Sequence, residues 1–95
     1  MEFRGTKISI DYTHKYNNGK PVIDFYETET GEPYLTATTN INGLNLAKDE
    51  ILIKDYSENE GVLSFLEQNK IVEFTGNYIH QGWVAIPVCK LLIKI

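Results

Sequence analysis

The chain has little of what usually locks a small domain together or carries it to a membrane. It holds one cysteine, Cys89, among 95 residues, which excludes an internal disulfide and fits a reducing compartment. No apolar run approaches the roughly 20 residues that span a bilayer. Residues 1–7 also lack the apolar segment of a signal peptide. We therefore expect a cytoplasmic protein that has no contact with membranes.

Clustered basic side chains are missing as well. Nine Lys and Arg residues against thirteen Asp and Glu residues give a net charge of −4, and residues 21–47 contain four acids and no base. Nucleic-acid-binding proteins need basic clusters that neutralise phosphates, so the composition disfavours nucleic-acid binding. A single-strand binder that stacks bases on sheet aromatics remains an alternative. The acidic middle is either a solvated face or a surface that meets a basic partner protein.

The residue spacings of metal and phosphate sites are also absent. His14, His80 and Cys89 form no CxxC, HxxxH or HExxH pattern, and neither GxGxxG nor GxxxxGK[ST] occurs. Cys89 lies between apolar neighbours, so we interpret it as a small buried residue and not as a nucleophile. We therefore expect no metal ion, no cofactor, no catalytic residue and no enzymatic activity.

What the chain does contain is enough apolar surface for one core. With 42% hydrophobic residues in 10.9 kDa, folding should reduce the accessible surface from about 15,800 to about 5,600 Å², which suits a single domain over residues 1–95. Alternating apolar and polar residues predict β-strands. The predicted strands cover residues 7–12, 22–28, 34–41, 51–53, 71–79 and 83–92.

One helix is predicted over residues 57–69, between the fourth and fifth strands. Ser57 and Glu60 have the spacing of a capping box, and apolar residues follow at helical intervals. Gly61 is unfavourable in a first helical turn, so we expect either close packing there or approach by a partner. The order β-β-β-β-α-β-β predicts an α+β fold, in which the helix covers one face of an antiparallel sheet of five to six strands.

The apolar end of the chain, residues 91–95, raises the question of self-association. An exposed apolar edge favours pairing with another chain, and the simplest product is a two-fold homodimer. The alternative is that this segment only closes the core. Of these two alternatives, we predict self-association.

Three segments carry a resemblance to a known group of proteins. They read K-D-Y-S-E-N-E-G at residues 54–61, G-E-P-Y at residues 31–34 and G-W-V-A-I-P-V at residues 82–88. This pattern resembles uncharacterised small proteins encoded on bacteriophages, plasmids and other mobile elements. The resemblance covers most of residues 20–92 and implies a context, not a reaction. It implies a non-enzymatic accessory protein of the host cytoplasm that binds a host or defence-system protein, as inhibitors of restriction and CRISPR systems do.

Two groups of residues are candidates for contact with such a partner protein. The first lies where the fourth strand meets the helix, where the acids exceed what a cap requires and a tyrosine offers an interface anchor. We call this group the acidic junction: Asp55, Tyr56, Glu58, Asn59 and Glu60. The second group is Tyr26 and Tyr34, which form an aromatic patch if they share the sheet face away from the helix.

The acids of the junction also support an alternative function. Asp55, Glu58 and Glu60 are carboxylates of the kind that hold Mg²⁺ or Ca²⁺, bind small ligands or perform acid–base chemistry. Their simplest role is to cap the helix and compensate its dipole. A metal-binding or ligand-binding protein, or an enzyme that uses the acidic junction, is therefore kept beside the protein-binding hypothesis.

Overall fold

Residues 1–94 are described by a computed structural model, which contains eight strands, a 3-10 turn and an α-helix. In chain order these are β1 (Glu2–Phe3), β2 (Thr6–Asp11), β3 (Asp24–Glu27), β4 (Pro33–Thr36), β5 (Thr38–Thr39), β6 (Glu50–Ile53), the 3-10 turn (Ser57–Asn59), α1 (Val62–Gln68), β7 (Val72–Gln81) and β8 (Val84–Leu91). The strands pair antiparallel into a first sheet, ordered β1-β2-β3-β4, and a second sheet, ordered β5-β6-β8-β7.

The predicted α+β class is confirmed, but the single sheet of five to six strands is wrong. The strand predicted over residues 34–41 divides at Ala37 into β4 and β5. Ala37 is buried, donates its N–H to the carbonyl of Ile23 (2.7 Å) and accepts the N–H of Lys54 (2.8 Å). Because these two partners belong to different parts of the chain, the backbone leaves the first sheet at Ala37 and enters the second.

The main core joins both sheets and the helix. Phe3, Phe25 and Phe65 meet edge to face, with ring centroids 5.0 to 5.6 Å apart, an arrangement that aromatic rings prefer. Phe3 comes from β1, a short strand that the alternation of residues does not predict. The three rings therefore tie β1, β3 and α1 together.

A second, smaller core lies on the opposite face of the second sheet. Leu52 pairs with Val88 there, and neighbouring residues along each strand point to the other face. Leu44 and Leu46, from the connection after β5, pack against this core.

The turn of the β7–β8 hairpin lies later in the chain than the sequence predicts, because β7 continues to Gln81. It consists of Gly82 and Trp83, not of residues 80–82. Gly82 has a φ of 59°, a left-handed conformation that favours glycine in a two-residue turn. A register shift falls between Phe74 and Tyr78.

The helix starts later than predicted, because the predicted capping box of Ser57 and Glu60 is wrong. Ser57 lies in the 3-10 turn, and neither that turn nor α1 is capped by the side chain of its own N-cap residue. The carboxylate of Asp55 accepts hydrogen bonds from the N–H groups of Gly61 (3.1 Å) and Leu63 (2.9 Å) instead. An acid before the turn therefore performs the role predicted for a serine within it.

The backbone conformation at residue 61 favours a glycine. The φ of Gly61 is 96°, which a residue with a side chain adopts only with strain. A Cβ at this position would meet nothing within 4 Å. Of the two alternatives expected for Gly61, close packing is therefore wrong, and approach by a partner stays a prediction. The reversal of the chain into α1 also explains the glycine.

The apolar C-terminal segment closes on the core as far as the structure describes it. Leu91 and Ile93 pack against the main core, and Leu92 is exposed between them. Ile95 lies outside the described residues. Leu91 and Ile93 therefore behave as expected if this segment only closes the core. Self-association stays a prediction. Within residues 1–94 no helix has the length and apolar character needed to cross a membrane.

Candidate functional site

A polar cleft of about 810 Å³ opens where the chain passes from the first sheet to the second. One wall is formed by β4 and β5, the edge strands on either side of Ala37. The facing wall is formed by Lys54 and by three members of the acidic junction, and residues 15–17 close one side. The cleft therefore collects three segments that are distant in sequence.

Asn59 lies at the floor of this cleft. It is 1% exposed, and its Nδ2 donates a hydrogen bond to the carbonyl of Thr36 (2.7 Å). Its Oδ1 is buried and is, within residues 1–94, the one such side-chain atom with no hydrogen-bond partner. A buried acceptor without a partner costs about 1–3 kcal/mol, and native structures rarely leave one without a reason.

Backbone contacts from both sides fix the turn that presents Asn59. The Arg4 guanidinium donates hydrogen bonds to the carbonyls of Glu58 (2.7 Å) and Glu60. Asp55 holds the following residues through their N–H groups. The Asn59 amide is therefore positioned by the fold and does not depend on a flexible loop.

An ion pair forms part of the facing wall. The Lys54 ammonium lies 2.7 Å from the Glu58 carboxylate and 5.7 Å from the centre of the Tyr56 ring. The hydrogen bond from Lys54 lowers the pKa of Glu58, and the same contact raises the pKa of Lys54. Both groups are therefore held in their charged forms around neutral pH.

A hydroxyl pair lines the opposite wall. The Tyr16 hydroxyl and the Thr38 Oγ1 are 3.0 Å apart, and Thr38 is buried. Thr38 Oγ1 also accepts the N–H of Ile23 (3.2 Å). Thr38 thus provides a hydrogen-bond acceptor for the backbone N–H of Ile23 and holds the hydroxyl of Tyr16 at the cleft.

The structure brings together four of the seven residues proposed from the sequence: Tyr34, Tyr56, Glu58 and Asn59 line the cleft. Asp55 is occupied by the helix backbone. Glu60 is exposed, and its carbonyl is bound to Arg4. The acidic junction therefore divides into residues that face the cleft and residues that stabilise the turn.

The predicted aromatic patch of Tyr26 and Tyr34 is not formed. A register shift at Phe25 and Tyr26 places Tyr26 opposite Pro33. Tyr34 instead packs on the main core, with its ring centroid 6.2 Å from that of Phe3. The bulge is the physical reason, because one extra residue on a strand changes which side chains share a face.

The candidate metal and nucleophile residues do not converge. Residues 1–94 contain no group of three His, Cys, Asp or Glu side chains placed to hold a metal ion. Cys89 is fully buried, and desolvation raises the pKa of its thiol to about 12, which confirms its interpretation as a small buried residue. His14 lies 3.8 Å from Asp11 on the surface, and His80 is exposed on β7.

Sequence reasoning missed the cleft residues that come from turns and edges. Asn17, Asn40 and Asn42 line the cleft, but asparagine predicts a turn first. Lys15 and Tyr16 also line it, and they lie some forty positions from the acidic junction. The one available signal was the excess of asparagine and threonine around residues 36–42.

A second surface feature is the tip of the β7–β8 hairpin. Trp83 is fully exposed, and Tyr78 is exposed on the same hairpin. Both belong to the outer part of the second sheet, because β7 is its edge strand. A large aromatic side chain left in water is a frequent mark of an interaction surface.

What the cleft and the hairpin tip can bind follows from the chemistry of their own residues. A comparison of the chain with models of protein families, with curated proteins and with solved structures finds no match.

Proposed function

We propose that this protein is a non-catalytic binding protein whose recognition site is the polar cleft. The observation that supports this proposal is that Asn59, whose buried Oδ1 has no partner within residues 1–94, is one of the residues that line the cleft. A ligand that donates a hydrogen bond to this atom removes the cost of burying it. The volume of about 810 Å³ lies within the range of about 300–1,000 Å³ that small-molecule sites occupy.

Binding fits the cleft better than catalysis does. A general acid or base works best when its pKa lies near the working pH. Here the ion pair shifts the pKa of Glu58 down and that of Lys54 up. Both shifts move the groups away from proton transfer at neutral pH, so we assign them to holding a ligand.

The proposal is tested by nuclear magnetic resonance with uniformly ¹⁵N-labelled protein and a panel of sugars, nucleosides, amino acids and small carboxylates. We expect at least one class to shift the resonances of residues 15–17, 36–42 and 54–59 in a saturable way. The matched control uses Tyr12, an exposed tyrosine that does not line the cleft: Tyr12→Ala should leave the titration unchanged. A panel in which no class moves the cleft resonances contradicts the proposal.

A second candidate function, which we propose on the exposure of Trp83, is binding of a partner protein. Tryptophan is among the residues that contribute most to protein interfaces, and Trp83 has no contact that would explain its position within this chain. The resemblance to proteins of mobile elements implies that the partner is a host or defence-system protein. This function and ligand binding use different surfaces.

Paired variants separate the two functions. Co-purification of a partner from a bacterial host should be lost in Trp83→Ala and kept in Asn40→Ala, which changes the cleft and the contact with Asn18 but not the hairpin tip. The reverse pattern assigns the partner protein to the cleft. Equal recovery with both variants contradicts a role for Trp83.

A further inference from the structure

We infer that the ligand of the cleft is a neutral, hydroxyl-rich ring, that is, a monosaccharide or a short oligosaccharide. This inference rests on the proposed function and adds the chemical class of the ligand. It follows from the charge of the cleft, from its free hydrogen-bonding groups and from its aromatic side chains.

The charges of the cleft suit a neutral ligand. Three charged side chains line it, and two of them, Lys54 and Glu58, neutralise each other at 2.7 Å. Lys15 is the remaining charge, and within residues 1–94 it forms no ion pair. One lysine is too little to neutralise a di- or triphosphate, which recurring phosphate sites surround with several donors.

The hydrogen-bonding groups of the cleft suit hydroxyls. Asn59 offers an acceptor, because its Oδ1 has no partner within residues 1–94, whereas its Nδ2 donates to the carbonyl of Thr36. Asn40 offers a donor, because its Oδ1 accepts from Asn18 Nδ2 (3.0 Å). A hydroxyl group both donates and accepts, so neighbouring hydroxyls on one ring satisfy both kinds of group.

The aromatic side chains suit the apolar face of a sugar ring. Tyr16, Tyr34 and Tyr56 all line the cleft and are half-buried, so each presents part of its ring. Tyrosine combines an apolar ring with a hydroxyl at its tip, and a pyranose likewise combines C–H faces with a polar edge. Leu35 is the single aliphatic residue in the lining. A wholly apolar ligand would therefore bury most of the polar groups of the cleft without hydrogen-bond partners.

The test is a titration of ¹⁵N-labelled protein with named sugars. The probes are glucose, galactose, mannose and N-acetylglucosamine, followed by maltose, cellobiose and chitobiose, each to about 10 mM so that millimolar dissociation constants are detected. We expect at least one sugar to shift the side-chain amide resonances of Asn59, since a donor to Oδ1 changes the polarity of the amide. This readout uses the unmodified protein and does not depend on any variant folding.

Two variants test the aromatic and the polar contacts separately. Tyr56→Ala should weaken binding at least tenfold, but Tyr56 also packs on the second core, so its folding must be checked by circular dichroism. Asn40→Ala, which removes a donor without touching either core, should weaken binding three-fold or more. Tyr12→Ala is the control and should bind as the unmodified protein does.

The failures of this inference and of the proposed function are distinguishable. Adenosine, cytidine and AMP are titrated beside the sugars. Shifts of the cleft resonances by these compounds, or by amino acids, with none by any sugar overturn the carbohydrate assignment and leave the cleft as a binding site. Sugar-induced shifts that lie outside the cleft, or that are unchanged in both cleft variants, also overturn it. If no compound of any class acts on the cleft, the proposed function fails as well.

Discussion

The carboxylate of Asp55 caps the helix at Leu63, eight residues further along the chain, through a hydrogen bond of 2.9 Å. The same oxygen accepts the N–H of Gly61. Replacing Asp55 by Ala should therefore lower the free energy of unfolding by about 0.5–2 kcal/mol. Urea denaturation followed by circular dichroism measures the change. Ser57→Ala is the matched control and should have little effect, whereas an equal loss in both variants would restore the serine as the cap.

Arg4 should stabilise the turn that carries Asn59. Its guanidinium bonds two carbonyls of that turn, a fork that lysine does not reproduce. In Arg4→Lys we expect faster hydrogen exchange of the backbone amide of Asn59, which donates to the Tyr56 carbonyl at 3.0 Å. Lys7→Arg, on the neighbouring exposed strand, serves as the control. Unchanged exchange in Arg4→Lys would show that Asp55 alone fixes the turn.

The thiol of Cys89 should make stability fall at high pH. Burial raises its pKa to about 12, from a value of 9.0, so the unfolded chain loses the proton first and deprotonation favours unfolding. The free energy of unfolding should be unaffected by this thiol below pH 9 and should fall by up to about 1.4 kcal/mol per pH unit between pH 9 and 12. Denaturation curves of the unmodified protein and of Cys89→Ala isolate this slope. Parallel pH profiles would contradict the prediction.

Trp83 should report an aqueous environment. It is the single tryptophan of the chain and is fully exposed, so its fluorescence should match that of free tryptophan in water and be quenched fully by iodide. Trp83→Ala should change the free energy of unfolding by no more than about 0.5 kcal/mol, as is usual for surface substitutions. Blue-shifted, protected emission at low protein concentration would show that the side chain packs against the protein.

Self-association remains a prediction, and β7 offers a second place for it besides the C-terminal segment. Within residues 1–94 the outer edge of this ten-residue strand has no strand neighbour, although Glu67 of α1 accepts the N–H of Phe74 there, and open edges pair with other chains. We expect light scattering at tens of micromolar to give the mass of a dimer. Tyr78→Lys, which places a charge on an exposed position of that edge strand, should reduce the dimer fraction. A monomer mass for the unmodified protein contradicts the prediction.

Local patterns predicted most of the strands, but they did not show where the sheet divides. Apolar and polar residues continue to alternate through residues 34–41, although the strand ends at Ala37. Only the partners of the Ala37 backbone, Ile23 and Lys54, reveal the crossing, and both are distant in sequence. The helix start was misplaced for a similar reason, since the S-x-x-E pattern describes spacing and does not detect the acid two residues earlier.

The cleft was predictable in part. Tyr56, Glu58 and Asn59 stood out because charge and aromatic character are concentrated at residues 54–61. The opposing wall was not predictable, because Asn40 has the same local preferences in a turn as at a binding surface. The position of Asn40 opposite the acidic junction depends on how the two sheets pack together. The local spacing of residues does not determine that packing.

The crossing at Ala37 also determines what the cleft can do when a ligand arrives. Ala37 is buried, and its N–H and carbonyl are both hydrogen-bonded, to the residues just before β3 and just after β6. In the proposed binding function, the ligand would therefore meet two walls that the same backbone crossing already joins. A site formed in advance in this way loses little conformational entropy on association.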